Sequence, residues 1–295
     1  MRNATSRTDV APVLLAAVVW GFNWPVTRIA LQEVGPWTMR AVTLLLGAVA
    51  LAVVALLRRQ PFAIPRDQWL RMAAAGSLTV GGFAILTTLA QLSLPTSRAA
   101  VLAYTMPIWA ALMARVVLGE RFTSRRTLGL VLGISGLAAL AVPLFRAGEI
   151  SLGWVYAIGA AVCWAAGTIV SKRYPVKAPP LIVAGWQLLV GGSLCLAGML
   201  AFEAHRLGEH YSPATIASLT YSVLLAQAVG YVCWFEGIAR VAAGTAALAS
   251  LLAPALGVFG AMVLLGEQPS ITDFLGLALV LTASGTVVLP SRSGA

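Results

Sequence analysis

Val10 to Ala30 reads VAPVLLAAVVWGFNWPVTRIA, with no charge before Arg28. Twenty apolar residues at a 1.5 Å rise cover the hydrocarbon of a bilayer, and the run lacks the alternation of a barrel strand. A helix follows, because lipid offers unpaired backbone groups no partner. Within it Trp20, Asn23, Trp24 and Thr27 fall at the i, i+3, i+4, i+7 spacing of one helical face. That face is aromatic and polar. Moving 144 residues on gives Trp164, Gly167, Thr168 and Ser171 at the same spacing in another apolar run. The two stripes point to a polar, ring-lined cavity between two related halves; ordinary helix packing by the tryptophans is the competing reading.

Composition agrees with the first stretch. Of 295 residues 59% are hydrophobic and 10% charged, against about 25% charged in a soluble domain, and the mean hydropathy is +0.88. Arg2 and Arg7 precede an apolar run too long for a secretory signal core and without a small-residue cleavage site, so the first span is expected to be retained. The net charge of +10 does not point to nucleic acid, since the basic residues are scattered through short loops. Cys163, Cys195 and Cys233 sit singly in apolar runs, which predicts free thiols with no disulfide or metal.

Ten spans are predicted: 10–30, 36–57, 68–92, 97–118, 126–144, 152–171, 181–202, 214–238, 244–265 and 272–289. The fold class is therefore all-α, an integral membrane protein with short loops and no soluble domain. With the N-terminus inside, fifteen of the 20 Lys and Arg fall in inside segments. Both termini are expected in the cytoplasm. In that scheme Arg28, Arg40, Arg98, Arg146 and Arg206 are the outside charges.

The halves, 1–145 and 146–295, can be compared directly. At an offset of 147, residues 97–132 match 244–279 without gaps at 12 of 36 positions, including Pro107 with Pro254 and Leu118-Gly119-Glu120 with Leu265-Gly266-Glu267. Five spans per half is an odd number, so copies would insert in opposite directions. Inverted repeats with a site between them near the midplane are the common plan of secondary transporters.

The ten-span layout, the Trp- and Gly-rich first span and the doubled Pro-x11-Gly-Glu ending of spans 4 and 9 resemble the drug/metabolite transporter superfamily, specifically its EamA-type members. The resemblance covers essentially the whole chain and looks nearest to bacterial aromatic amino-acid exporters. It implies a basket of two inverted five-helix repeats in the bacterial inner membrane, with spans 1, 3, 4, 6, 8 and 9 nearest a central cavity.

Residue chemistry suggests what such a cavity would use. Trp20, Trp24 and Trp164 would stack the apolar part of a cargo, with Asn23, Gln227 and the carbonyls freed by the prolines meeting its polar end, and Thr168 of the second stripe is a further substrate-binding candidate. Gln227, Gly230, Tyr231 and Trp234 form a third stripe on span 8. Tyr104, Trp186 and Gln187 are further candidates, for which interfacial anchoring or packing serves as well. Pro25, Pro107 and Pro254 each remove an amide and displace the carbonyl four residues back, at Gly21, Ala103 and Ser250, which suggests hinges or plain kinks. Arg28 and Lys172 could steer a carboxylate or snorkel to the headgroups. His205 and His210, near Glu203 and Glu209, fit a solvated loop better than a metal site.

All ten acidic residues fall in loops or near span ends, so a midplane carboxylate for proton coupling is not expected. Glu120 and Glu267 are expected to cap or terminate their spans. No phosphate-binding Gly-Lys-Ser/Thr loop and no midplane Ser, His and Asp set is present, so neither a nucleotide cofactor nor enzymatic chemistry is expected. The expected function is export of small metabolites, foremost hydrophobic or aromatic amino acids. A drug or nucleoside exporter of the same fold and a non-transporting receptor or scaffold are the alternatives. Two halves in one chain suffice to enclose the cavity, so a monomer is expected.

Overall fold

The structure is a computed structural model that describes residues 7–120, 124–147, 151–206, 210–240 and 251–288. Arg2, Glu209 and Ser250, named above, lie outside the described residues, as do 244–250 of the expected ninth span.

Among the described residues ten long helical stretches follow one another: α1 Arg7–Ala30, α2 Pro36–Leu57, α3 Arg66–Ser93, α4 Thr96–Val117, α5 Ser124–Ala147, α6 Leu152–Arg173, α7 Pro180–Phe202, α8 Pro213–Ile238, α9 Leu252–Leu265 and α10 Ile271–Val288. Their bounds fall within a few residues of those expected wherever both ends are described. Seven are long and apolar enough to cross a membrane, namely α1 to α4 and α6 to α8. Thr127–Leu140, Leu252–Leu265 and Ile271–Ala283 are shorter apolar helices.

Local chemistry sets the ends. Pro36, Pro180 and Pro213 open α2, α7 and α8, where a missing amide costs nothing. Ser151 and Ser212 cap α6 and α8 through their hydroxyls, accepting from the amides of Gly153 and Thr215. Gly119 and Gly266, matched across the halves, take φ of +69° and +67° beyond α4 and α9. Only glycine adopts that left-handed turn without strain.

The packing has a regular scheme. α2 lies against α7, α5 against α10 and α4 against α9; α1 packs on α8 and α9, α6 on α3 and α4, α2 on α8 and α7 on α3. Each of these pairs recurs when every helix is exchanged for the one five places along. Outward faces are apolar, as Leu46, Val49, Val53 and Leu56 on α2 illustrate. Such a surface requires lipid.

Two features depart from regular helix. Ser77–Gly82 in α3 and Tyr221–Val229 in α8 are π-helical. These are the third helices of the two halves, and π segments are rare and concentrate at functional sites. α4 is broken at Tyr104 and Thr105 between Thr96–Ala103 and Met106–Val117. Pro107 therefore stands in the first turn of a restarted helix instead of kinking a continuous one, and Pro254 likewise stands in the first turn of Leu252–Leu265. Pro25 alone of the three lies within an unbroken helix. The difference has a plain cause, since a proline in the first turn forfeits no helical hydrogen bond.

One end of the bundle is tied by polar links. Glu203, after α7, accepts from the backbone amides of Trp37 and Thr38 at 3.1 and 2.8 Å, at the start of α2. Glu267, after α9, accepts from the amides of Thr96 and Ser97 at 2.6 and 2.9 Å, at the start of α4. It caps a neighbouring helix rather than its own. Glu33, after α1, accepts from the Ser212 amide at 2.8 Å, at the start of α8. Arg98 and Asp273 pair across the starts of α4 and α10, and Arg28 donates to the Gln91 carbonyl between the ends of α1 and α3. Carboxylates at helix N-termini meet both free amides and the positive end of the dipole.

Candidate functional site

A cavity of about 680 Å³ lies between the helices, bordered by residues of α1, α2, α3, α4, α6, α7, α8 and α9. At one end its wall includes Lys172, whose side chain is 59% exposed and which is paired with Glu120. Towards the tied end of the bundle the wall is made of Thr27, Arg40 and Gln91, all of them buried. The cavity therefore reaches solvent beside Lys172 and is closed at the opposite end.

The wall joins three aromatic groups. Trp20 packs on Tyr231 edge-on at 5.5 Å and on Trp234 at 5.6 Å. Trp24 lies 6.2 Å from Tyr104, at the break in α4. Trp164 meets Phe83 edge-on at 4.9 Å. Such offset and edge contacts hold rings in place more firmly than burial alone.

Hydrogen bonds between α1 and the π segment of α8 fix the polar side. Trp20 Nε1 donates to the Ala226 carbonyl at 2.9 Å, the Tyr221 hydroxyl to the Val19 carbonyl at 3.0 Å, and the Ser222 hydroxyl to Asn23 Oδ1 at 2.9 Å. A widened turn shifts carbonyls out of the regular helical ladder, so Ala226 can take the indole. Gly230, one turn on, lies where a Cβ would come within 2.6 Å of that indole nitrogen. Gly167 of α6 similarly lies against the Thr79 backbone in the π segment of α3.

Of the residues expected from sequence, Trp20, Asn23, Trp24, Tyr104, Trp164, Thr168, Gln227 and Tyr231 come together around this cavity, with Pro107 and Gln187. Thr168 is exposed and donates to the Trp164 carbonyl at 2.9 Å. Trp186 does not line it. Its ring stacks on Phe62 at 6.0 Å and tilts against Trp69 at 6.2 Å, because Gln187, the next residue, takes the inward face of α7. Pro25 and Pro254 are not in the wall either, though Ala253 is.

Arg40, Thr79, Thr87 and Gln91 are wall residues that sequence reasoning passed over. Arg40 was assigned to the outside charges, yet it lies within α2 and is buried. Its position four residues inside an expected span was the available signal, as were Thr87 and Gln91 one turn apart in another. The acid in the wall is Glu120, at the exposed end. Among the described residues no cluster of His, Cys, Asp and Glu could hold a metal.

Comparison with known proteins decides the family. The family model described as "EamA-like transporter family" matches residues 10–142 and again 151–289. The chain belongs to this EamA-like family, within the drug/metabolite transporter superfamily. This EamA-like protein is 29% identical over 284 residues to the "Probable terminal-alkyne amino-acid exporter" of Streptantibioticus cattleyicolor, covering 95% of this chain and 93% of that one. It is 26% identical to the "Probable amino-acid metabolite efflux pump" of Escherichia coli, covering 94% and 93%. A crystal structure at 19% identity superposes with a TM-score of 0.67, covering 96% of this chain and 98% of that one, and shares the fold. The chain is thus a multi-pass membrane protein of a transporter family, and both family and relatives point to transport rather than enzymatic chemistry.

Proposed function

We propose that this EamA-like protein exports hydrophobic or aromatic amino acids across the bacterial inner membrane by alternating access. The observation that carries the reading is the central cavity, about 680 Å³ in volume, which is bordered by the rings of Trp20, Trp24 and Trp164 together with Asn23 and Gln227. That is room for one amino acid with its side chain against rings. The relatives named as amino-acid exporter and efflux pump favour the same cargo class.

On this reading residues 1–145 and 146–295 are inverted five-helix copies, and all ten helices span the membrane. The exchange symmetry of the helix pairs and the matched π segments support it. Both termini then face the cytoplasm, the exposed mouth beside Lys172 is cytoplasmic, and the tied end is external. Pro25, Pro107 and Pro254 serve as points of bending, with the break at Tyr104 and Thr105 already prepared. The acid of the wall is occupied by Lys172, which favours movement down a gradient over proton exchange at a midplane carboxylate. One chain encloses the cavity, in keeping with a functional monomer.

The test is counterflow of labelled phenylalanine or tryptophan into liposomes carrying the purified protein. Accumulation that is lost in Trp20→Ala, Trp164→Ala and Gln227→Ala supports the reading. Exchange of organic cations or nucleosides without aromatic amino acids refutes the cargo, and no flux of any of these would favour a receptor or scaffold.

A further inference from the structure

Arg40 is a charge in the cavity wall with no counter-ion among the described residues. It lies in the first two turns of α2 and is 7% exposed. Its Nε donates to the Ala84 carbonyl at 3.1 Å and to the Thr88 hydroxyl, and its Nη2 to the Thr87 hydroxyl at 3.4 Å. All three acceptors are neutral. Nη1 has no hydrogen-bond partner among the described residues, and no carboxylate pairs with Arg40. The carboxylate on the start of the same helix, that of Glu203, is engaged by the Trp37 and Thr38 amides. A guanidinium stays protonated in such a place, and its cost without an anion is high. In a membrane-embedded wall such a residue marks a ligand site by default.

Three polar atoms of the same wall are also buried with no partner: Thr27 Oγ1, Thr79 Oγ1 and Gln91 Oε1. Gln91 stands one helical turn beyond Thr87, which holds Arg40. A planar cation with one unbonded nitrogen and an unsatisfied amide oxygen therefore border the same cavity. The first suits a carboxylate, which guanidinium groups take through parallel N–H bonds. The second suits an ammonium donor.

We propose that Arg40 binds the carboxylate of the cargo while Gln91 and Thr27 accept its amino group, so that the site selects free amino acids over their amides and over plain amines. The assignment rests on the proposed function, in that it takes this cavity as the cargo site, and it names the group that the cargo must carry.

The experiment is counterflow of labelled phenylalanine into liposomes carrying the full chain, competed with phenylalanine, phenylalaninamide and phenethylamine. Wild type should prefer the free acid by about tenfold or more, the worth of one charge-assisted pair. Arg40→Gln should bring acid and amide to within about twofold, and Arg40→Lys, which keeps charge but loses the planar fork, should fall between. Because Arg40 also joins α2 to α3, Thr88→Ala is measured beside it. A purely structural role would lower flux in both variants and leave the acid-to-amide ratio at its wild-type value, which would overturn the proposal. If Arg40→Gln does not fold, Arg40→Lys alone decides by the same ratio.

If wild type carries no aromatic amino acid, the export reading fails but the binding assignment is still decided. Intrinsic tryptophan fluorescence is then titrated with 3-phenylpropionate and with phenylalaninamide. Quenching by the carboxylate, absent with the amide and lost or weakened in the Arg40 variant, sustains Arg40 as an anion site. Equal response to both compounds, or none to either, overturns it.

Discussion

The indole nitrogen of Trp20 is bound to the carbonyl oxygen of Ala226 at 2.9 Å, across 206 residues of sequence. One ring thus does two things: it walls the cavity, and it ties α1 to the widened turn of α8. Trp20→Phe keeps a ring but abandons the tie, at a cost of about 1 kcal/mol for the hydrogen bond. Trp20→Ala also forfeits the contacts with Tyr231 and Trp234. Counterflow should decline modestly, by about fivefold, in Trp20→Phe and far more in Trp20→Ala; equal loss in both would show that the tie to Ala226 matters and the ring face does not.

Gly230 is the companion of that tie, since an added Cβ would come within 2.6 Å of the Trp20 indole nitrogen. Gly230→Ala should displace the ring and destabilise the protein by about 1–3 kcal/mol. Thermal unfolding in detergent, followed by tryptophan fluorescence, would register both the lower midpoint and a shifted emission. An unchanged spectrum would mean that α8 gives way instead.

Glu267 supplies the first free amides of α4 with their acceptors. Glu267→Ala leaves them without the carboxylate and should cost about 1 kcal/mol or more. Glu267→Gln, which keeps one acceptor, should cost less. Amide hydrogen exchange at Thr96 and Ser97 is the direct measurement, and faster exchange in the alanine variant than in the glutamine variant is the expected order.

The carboxyl of Glu33 is held below its ordinary value of 4.5, first by the backbone amide of Ser212 and then by the hydroxyls of Thr215 and Ser212. A depressed folded-state value means that the link contributes at and above the ordinary carboxylate range. It fades as acid carries the pH down through the lower folded value. The junction of α1 and α8 should therefore loosen below pH 4.5 in wild type. Glu33→Gln should remove that part of the pH dependence while lowering stability near neutrality, and parallel acid titrations of the two proteins would reveal it.

Much of this fold was legible because lipid leaves the chain few choices. Spans such as 36–57 could be read to the residue, since an apolar run, a leading proline and a trailing pair of arginines state both ends. The polar stripe of Trp20, Asn23 and Trp24 was legible for the same reason, as a polar face in an apolar helix needs a partner. Other things were not. The π segments leave no compositional mark, because they follow from how α3 and α8 meet their neighbours. The break at Tyr104 was not legible, since Pro107 reads alike as a hinge, a kink or the first turn of a restarted helix. Arg40 was misread because counting charges by side treats an arginine near a span end as a loop residue. Trp186 points the other way: its neighbour Gln187 faces the cavity, and sequence alone ranked the two together.

The closed end of the cavity is held by carboxylates on backbone amides and by arginines on carbonyls, beside a small buried apolar cluster of Ala30, Leu31, Val34 and Met39. Water can replace each such partner almost in kind, so the net gain from every link is small even though together they are specific. Parting these helices would therefore exchange those polar contacts for water and expose only that small apolar cluster. A seal of that kind is inexpensive to breach and quick to re-form, as a turnstile needs and a permanent wall does not.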